Sequence, residues 1–184
     1  MGTKDFSEIR STELVQKNGL TILAGCPASG KTTYALKLAK ECAIDAQTPT
    51  AYFSLEMSNK QLVKQLVVNA CEGYGEKIKN GQLAHDEWAQ LEKKMKELYG
   101  AKLYIDDSPS ITINELCSRC RQMVEEQGVK MVIIDDLQLM CKEDDHNRKE
   151  EMPAILQSLN ALAKELNISI LALSQAYNDI KIDD

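Results

Sequence analysis

The stretch Gly25-Cys26-Pro27-Ala28-Ser29-Gly30-Lys31-Thr32 constrains this chain more than any other. It fits G-x-x-x-x-G-K-[ST], with an apolar strand-like run, Leu20 to Ala24, before it and a helix-like run, Thr33 to Ala46, after it. A loop of this kind turns successive backbone N–H groups inward to cradle phosphates, and the helix behind it adds the positive end of its dipole. A chance match to the four fixed positions in a chain this long is on the order of one in a hundred. The plainer explanation is a tight strand-to-helix turn with an exposed lysine. The flanking strand and helix favour a nucleotide site over Gly25 to Thr33, with Lys31 reaching the β and γ phosphates and Thr32 holding Mg2+.

The 184 residues suit one domain, and a hydrophobic share of 43% supports a folded core. Only 5% of residues are aromatic, so that core is aliphatic. The formal charge is 22 − 28 = −6, which argues against a surface that binds duplex DNA through bulk positive charge. No apolar run approaches the ~20 residues that span a bilayer, and the start Met-Gly-Thr-Lys-Asp lacks the apolar stretch of a signal peptide. The expectation is a soluble, cytoplasmic protein with no membrane partner. Of the six cysteines, Cys117 and Cys120 form the one C-x-x-C; without a second ligand pair they read as ordinary helix residues.

Residues 1–18 read as a polar arm, 19–175 as the core and 176–184 as a tail. The first helix carries Ala35, Leu36, Leu38, Ala39, Cys42 and Ala43 at helical spacing, so this set faces the sheet. Ala51 to Leu55 reads as a second strand. Ser58-x-x-Gln61 then caps a helix burying Leu62, Val63, Leu66, Val67 and Ala70. A helix over about Asp86 to Tyr99 aligns Trp88, Leu91, Met95 and Leu98, a stripe that reads as core. Lys102 to Ile105 is a third strand, and Thr112-x-x-Glu115 caps a helix ended by Gly128. Met131 to Ile134 is a continuous apolar run, the mark of a strand buried on both faces of a parallel sheet. Cys141 to Glu151 reads as a charged loop, with Pro153 starting or kinking the helix that follows; Ile168 to Leu173 is the last strand. Strand and helix alternate throughout, which predicts a three-layer α/β domain.

Three polar groups fall at the carboxyl ends of these strands: Glu56, Asp135 and Gln175. In a parallel sheet those ends share one rim with the phosphate loop. There Asp135 is placed to hold Mg2+, Glu56 to polarise a water toward the γ-phosphate, and Gln175 to bond that phosphate until it leaves. Each alone is ordinarily a solvated rim residue, and Asp136 reads as that or as a supporting acceptor. Together, on one rim, they make a candidate site.

Phe53-Ser-Leu-Glu-Met-Ser58, Ile78-Lys-Asn-Gly-Gln-Leu83 with Trp88, Tyr104-Ile-Asp-Asp-Ser-Pro109, Val132 to Met140, and Ala161 to Leu166 with Ala172-Leu-Ser-Gln175 follow in order along the chain. As a set they resemble the C-terminal, RecA-like motor domain of DnaB-type replicative helicases, from about Leu20 to Gln175. The resemblance implies a hexameric, ATP-driven motor on single-stranded DNA, with Lys31 and Thr32 on nucleotide and Mg2+, Glu56 as catalytic carboxylate, Asp135 as the Walker B acid and Gln175 as sensor. It also implies a RecA-like sheet with strand order 3-2-4-5-1, leaving Leu20 to Ala24 at an edge for the arm or the tail to cover.

The sequence departs from that family where Asp136 replaces a usual aromatic, and where Gln157, Asn160 and Asn178 stand in place of common basic residues. In the family, the DNA-contacting loop and the arginine finger follow the sensor. The expectation for the isolated chain is therefore binding of ATP and ADP, weak hydrolysis and poor binding of single-stranded DNA. The stretch Cys141 to Glu151 adds to the last point, with five acids against Lys142, Arg148 and Lys149. A competing reading is a nucleotide-binding accessory or regulatory module without helicase activity. A RecA-like kinase or clock-type ATPase fits the ordered motifs less well.

Overall fold

The computed structural model describes residues 15, 18–26, 29–71, 74, 76–77, 80–141 and 145–175, with backbone alone for 145–150. Five strands alternate with helices: β1 (Leu20–Gly25), α1 (Lys31–Lys40, continued by a π-helical turn Glu41–Asp45), β2 (Thr50–Ser54), α2 (Asn59–Ala70), α3 (His85–Tyr99), β3 (Leu103–Asp106), α4 (Ile113–Gln127), β4 (Met131–Asp135), a 3-10 turn (Leu137–Met140), α5 (Asp145–Leu166) and β5 (Ser169–Gln175). All strand pairs are parallel and the order is β1-β5-β4-β2-β3, as expected from the resemblance. Every strand therefore ends on the same rim.

Alternation along each central strand divides its side chains between two apolar layers. Ala51 and Phe53 of β2, Val132 and Ile134 of β4, and Ile170 and Ala172 of β5 meet Leu116 and Cys120 of α4 and Ile155, Leu159 and Leu162 of α5. Tyr52, Met131, Ile133, Leu171 and Leu173 point the other way, onto Leu36, Leu38 and Ala39 of α1 and Leu62 and Leu66 of α2. Both faces are covered, which is why β4 is buried over its whole length and reads as an uninterrupted apolar run.

Local signals set the helix ends. The Ser58 backbone N–H donates to Gln61 Oε1 at 2.9 Å, and the Thr112 N–H to Glu115 Oε2 at 2.9 Å, so two capping boxes start α2 and α4. Gly128 closes α4 at φ 66°, the left-handed conformation glycine adopts without strain. Asp106, at the end of β3, is partly desolvated, which raises its pKa. Hydrogen bonds from Arg119 and Ser108 outweigh that effect, and the net shift is downward.

Several expectations fail in instructive ways. Trp88 is 53% exposed and Leu91 alone of its stripe is buried, because α3 packs on α2 at the margin of the domain and among the described residues no layer lies outside it. Val63 is 44% exposed: the buried face of α2 narrows to Leu62, Leu66 and Ala70, and Val67 is half-buried. The stretch Cys141 to Glu151, expected as a charged loop, is a helix from Asp145 onward, and Pro153 lies inside it. Lys, Arg and Glu are good helix formers, so charge by itself does not mark a loop. Cys120 is buried, and burial pushes its thiol up to about 12; Cys117 is half-buried, and neither forms a disulfide.

β1 is the edge of the described sheet, and its Ile22 is 41% exposed. Residues 176–184, the proposed tail cover, lie outside the described residues, as does the arm apart from Val15 and Asn18. Val15 packs on the α1 side of the sheet, and its carbonyl accepts a hydrogen bond from Ser169 Oγ at 3.2 Å.

Two stability measurements test this packing. Leu62→Ala opens a cavity in the α1/α2 layer and should cost about 2–5 kcal/mol in urea unfolding, whereas Val63→Ala should stay within about 1 kcal/mol. For Asp106, the depressed carboxylate pKa contributes stability above the unfolded value near ~4, and that contribution is lost as pH falls through the folded value. Arg119→Gln should thus lower the melting temperature at pH 7, with the gap to wild type closing below about pH 4; a constant gap would assign the loss to packing.

Candidate functional site

The loop after β1 enters α1 through Gly30, whose φ of 84° is left-handed and whose position is the N-cap of the helix. That conformation turns the chain so that the first N–H groups of α1 face the rim. Lys31 is buried, its Nζ donating to the carbonyls of Gly25 at 2.5 Å and Cys26 at 2.8 Å. The ammonium is thus held over the loop that its own backbone forms. Cys26, Ser29 and Gly30 are exposed around it, Thr33 points to solvent, and Pro27 and Ala28 lie outside the described residues.

Asp135 closes β4 beside this loop and is only 3% exposed. Burial raises its pKa, opposed by hydrogen bonds from the hydroxyls of Tyr52, at 2.8 Å, and Thr32. Glu56 raises it further and Lys31 lowers it, which places both charges in the same field. Tyr52 is itself raised well above the ordinary phenol value, by burial first and then by Asp135. The structure therefore brings Lys31, Thr32, Glu56 and Asp135 together.

Glu56 itself is exposed, on the bend after β2. Two contacts shape that bend. Ser54 Oγ donates to Met57 O at 2.7 Å and lies 3.2 Å from the Met57 backbone nitrogen, and Asp107 Oδ2 takes the Asn59 N–H at 2.7 Å. Gln175 ends β5 in register with Gly25, so two segments far apart in sequence end side by side.

Sequence reasoning gives no role to Tyr52, Asp107 or Gln138. Tyr52 has a readable signal, a hydroxyl on a strand that is otherwise buried and mostly apolar. Gln138 has another, an amide inside Leu137-Gln-Leu-Met140. Asp136, for which a solvated position is one option, is 3% exposed and accepts the Gln138 N–H at 3.2 Å, so it is the supporting acceptor.

The donor set suits a hard divalent cation. One hydroxyl and one buried carboxylate meet at the foot of a phosphate-type loop, and among the described residues no group of three or more His, Cys, Asp or Glu gathers to hold a metal by itself. Mg2+ keeps several waters and takes its remaining ligands from phosphates, so a sparse protein shell fits it.

A parallel sheet of this order, with a phosphate-type loop after its first strand and an acid at the end of its fourth, defines a RecA-like P-loop domain. The sequence pattern described as "DnaB-like helicase C terminal domain" matches residues 3–181, and the chain belongs to that family. It is 36% identical over 179 residues to the replicative DNA helicase DnaB of Geobacillus stearothermophilus, covering 96% of this chain and 39% of that one. It is also similar to two solved structures at 29% identity, each over 91% of this chain. One, described as an ATPase domain, has a TM-score of 0.73 and is covered over 60% of its length. The other, a DnaB-like replicative helicase described with its interactions with primase, has a TM-score of 0.74 and is covered over 41%. The chain thus spans about two fifths of the length of the relative from Geobacillus.

Replacing Gly30 tests the entry to α1. Among the described residues no atom lies within 4 Å of a Cβ placed there, so the cost of Gly30→Ala is set by backbone conformation. It should lower unfolding free energy by about 1–2 kcal/mol, the penalty of a left-handed non-glycine residue. No loss in a urea titration would mean that the turn relaxes.

Proposed function

We propose that this chain is the ATP-hydrolysing motor domain of a cytoplasmic replicative helicase, one that acts on single-stranded DNA as part of a homo-hexameric ring. The observation that carries the reading is the meeting of Lys31, Thr32, Glu56 and Asp135 on one rim, in a chain of a helicase family. Lys31 and the loop N–H groups of Gly25 to Thr33 bind the phosphates of ATP or ADP, and the α1 dipole adds to the attraction. Thr32 and Asp135 hold Mg2+, which offsets phosphate charge when bound.

Glu56 polarises the attacking water. Its exposure suits that task, since a base must be reached by water and by the γ-phosphate together. Gln175, at the end of β5, distinguishes triphosphate from diphosphate through a hydrogen bond to the terminal phosphate. Single-stranded DNA is bound by the ring and weakly by one copy, in keeping with the net charge of −6.

The test joins calorimetry with steady-state ATPase assays, with and without single-stranded DNA, on protein of known mass in solution. Lys31→Ala should abolish ATP binding. Glu56→Gln should keep affinity within about threefold while removing at least ~10² of any turnover. Equal ATP affinity of wild type and Lys31→Ala would refute the nucleotide site; tight binding with no turnover under any condition would favour an accessory module.

A further inference from the structure

The turn that follows β4 reaches across to the end of β5. Gln138 is 8% exposed and its Nε2 donates to Ser174 Oγ at 2.9 Å and to the Gln175 carbonyl at 3.0 Å. Its Oε1 is buried with no partner among the described residues, so nothing else in the turn explains an amide at this position. A buried amide with one end unsatisfied is costly, and leucine would fill the space without that cost. The other half of the contact is Asp136, whose carboxylate takes the Gln138 N–H and a hydrogen bond from the Gln175 side chain. One residue thus grips the Gln175 backbone while a second occupies its side-chain amide.

We propose that Asp136 and Gln138 are positioning residues that set the nucleotide preference of the site through Gln175, with opposite signs. Gln138 fixes the end of β5 at the register that sets Gln175 beside Gly25, and so presents the amide to a terminal phosphate. Asp136 competes with that phosphate for the same amide. This rests on Gln175 contacting the γ-phosphate. It adds that the contact is tuned from the turn after β4, by the Asp136 carboxylate and the Gln138 amide.

The measurement is the ratio of the ADP dissociation constant to that of a non-hydrolysable ATP analogue, by calorimetry with Mg2+ on the whole chain. Gln138→Leu should lower this ratio about tenfold, as expected for one misplaced hydrogen bond, and Asp136→Ala should raise it about threefold to tenfold. Both changes should vanish when Gln175→Ala is also present, because each acts through that side chain. Should Gln138→Leu fail to fold, Ser174→Ala removes one of the two bonds alone and should lower the ratio by a smaller factor.

An unchanged ratio in the Gln138 or Ser174 variant overturns the inference. So do shifts that persist in the Gln175→Ala background, which would assign the Asp136 effect to charge alone. Lys31→Ala separates the two levels. If it binds nucleotide as well as wild type does, the site reading itself fails; if it abolishes binding while the ratio stays fixed in the other variants, this inference fails alone.

Discussion

Everything at this site depends on a sheet whose strands are parallel and buried on both faces. Parallel strands end on one side, so the loop after β1, the bend after β2, the acid of β4 and the amide of β5 share a rim although they are spread over 150 residues of sequence. Burial on both faces follows, since parallel strands need crossover helices and these cover the sheet above and below. The two apolar layers hold the strands rigidly, and a rigid rim is what lets a few short side chains meet at one place.

The rim is costly to assemble electrostatically. Two adjacent carboxylates, Asp135 and Asp136, are almost fully buried, and burial raises the pKa of both. What keeps them tolerable is a ring of donors: the Tyr52 and Thr32 hydroxyls on Asp135, and the Gln138 N–H and Gln175 side chain on Asp136, with Lys31 near both. A carboxyl pKa raised in the folded state costs stability as pH rises above the unfolded value near ~4, so these acids weaken the isolated domain at neutral pH. That is the pattern expected where a site is arranged for a ligand and not for stability. A divalent cation and the helix dipole would then find the charge they require already in place.

The candidate site is legible in the residues because its parts are local or periodic. The loop from Gly25 to Thr32 is one unbroken stretch, and the apolar runs that precede Glu56, Asp135 and Gln175 announce strands whose ends must converge. Trp88 and Val63 defeat the same reasoning for the converse reason. Helical spacing says which residues share a face, and it does not say whether another layer covers that face. The stretch from Asp145 escapes it because charge is compatible with both loop and helix, and its helix is completed by the apolar residues that follow.

Periodicity and short motifs survive without coordinates, so the class of fold, the identity of the loop and, through the family resemblance, the strand order can all be read from the residues in order. Which side chains stand beside one another across the strands can be read only from the folded chain. Tyr52 meets Asp135 over 83 positions, and Gln138 meets Ser174 over 36. Such pairs depend on register between strands and on which face each side chain takes, and both are settled by packing of the two layers and not by any local stretch of chain.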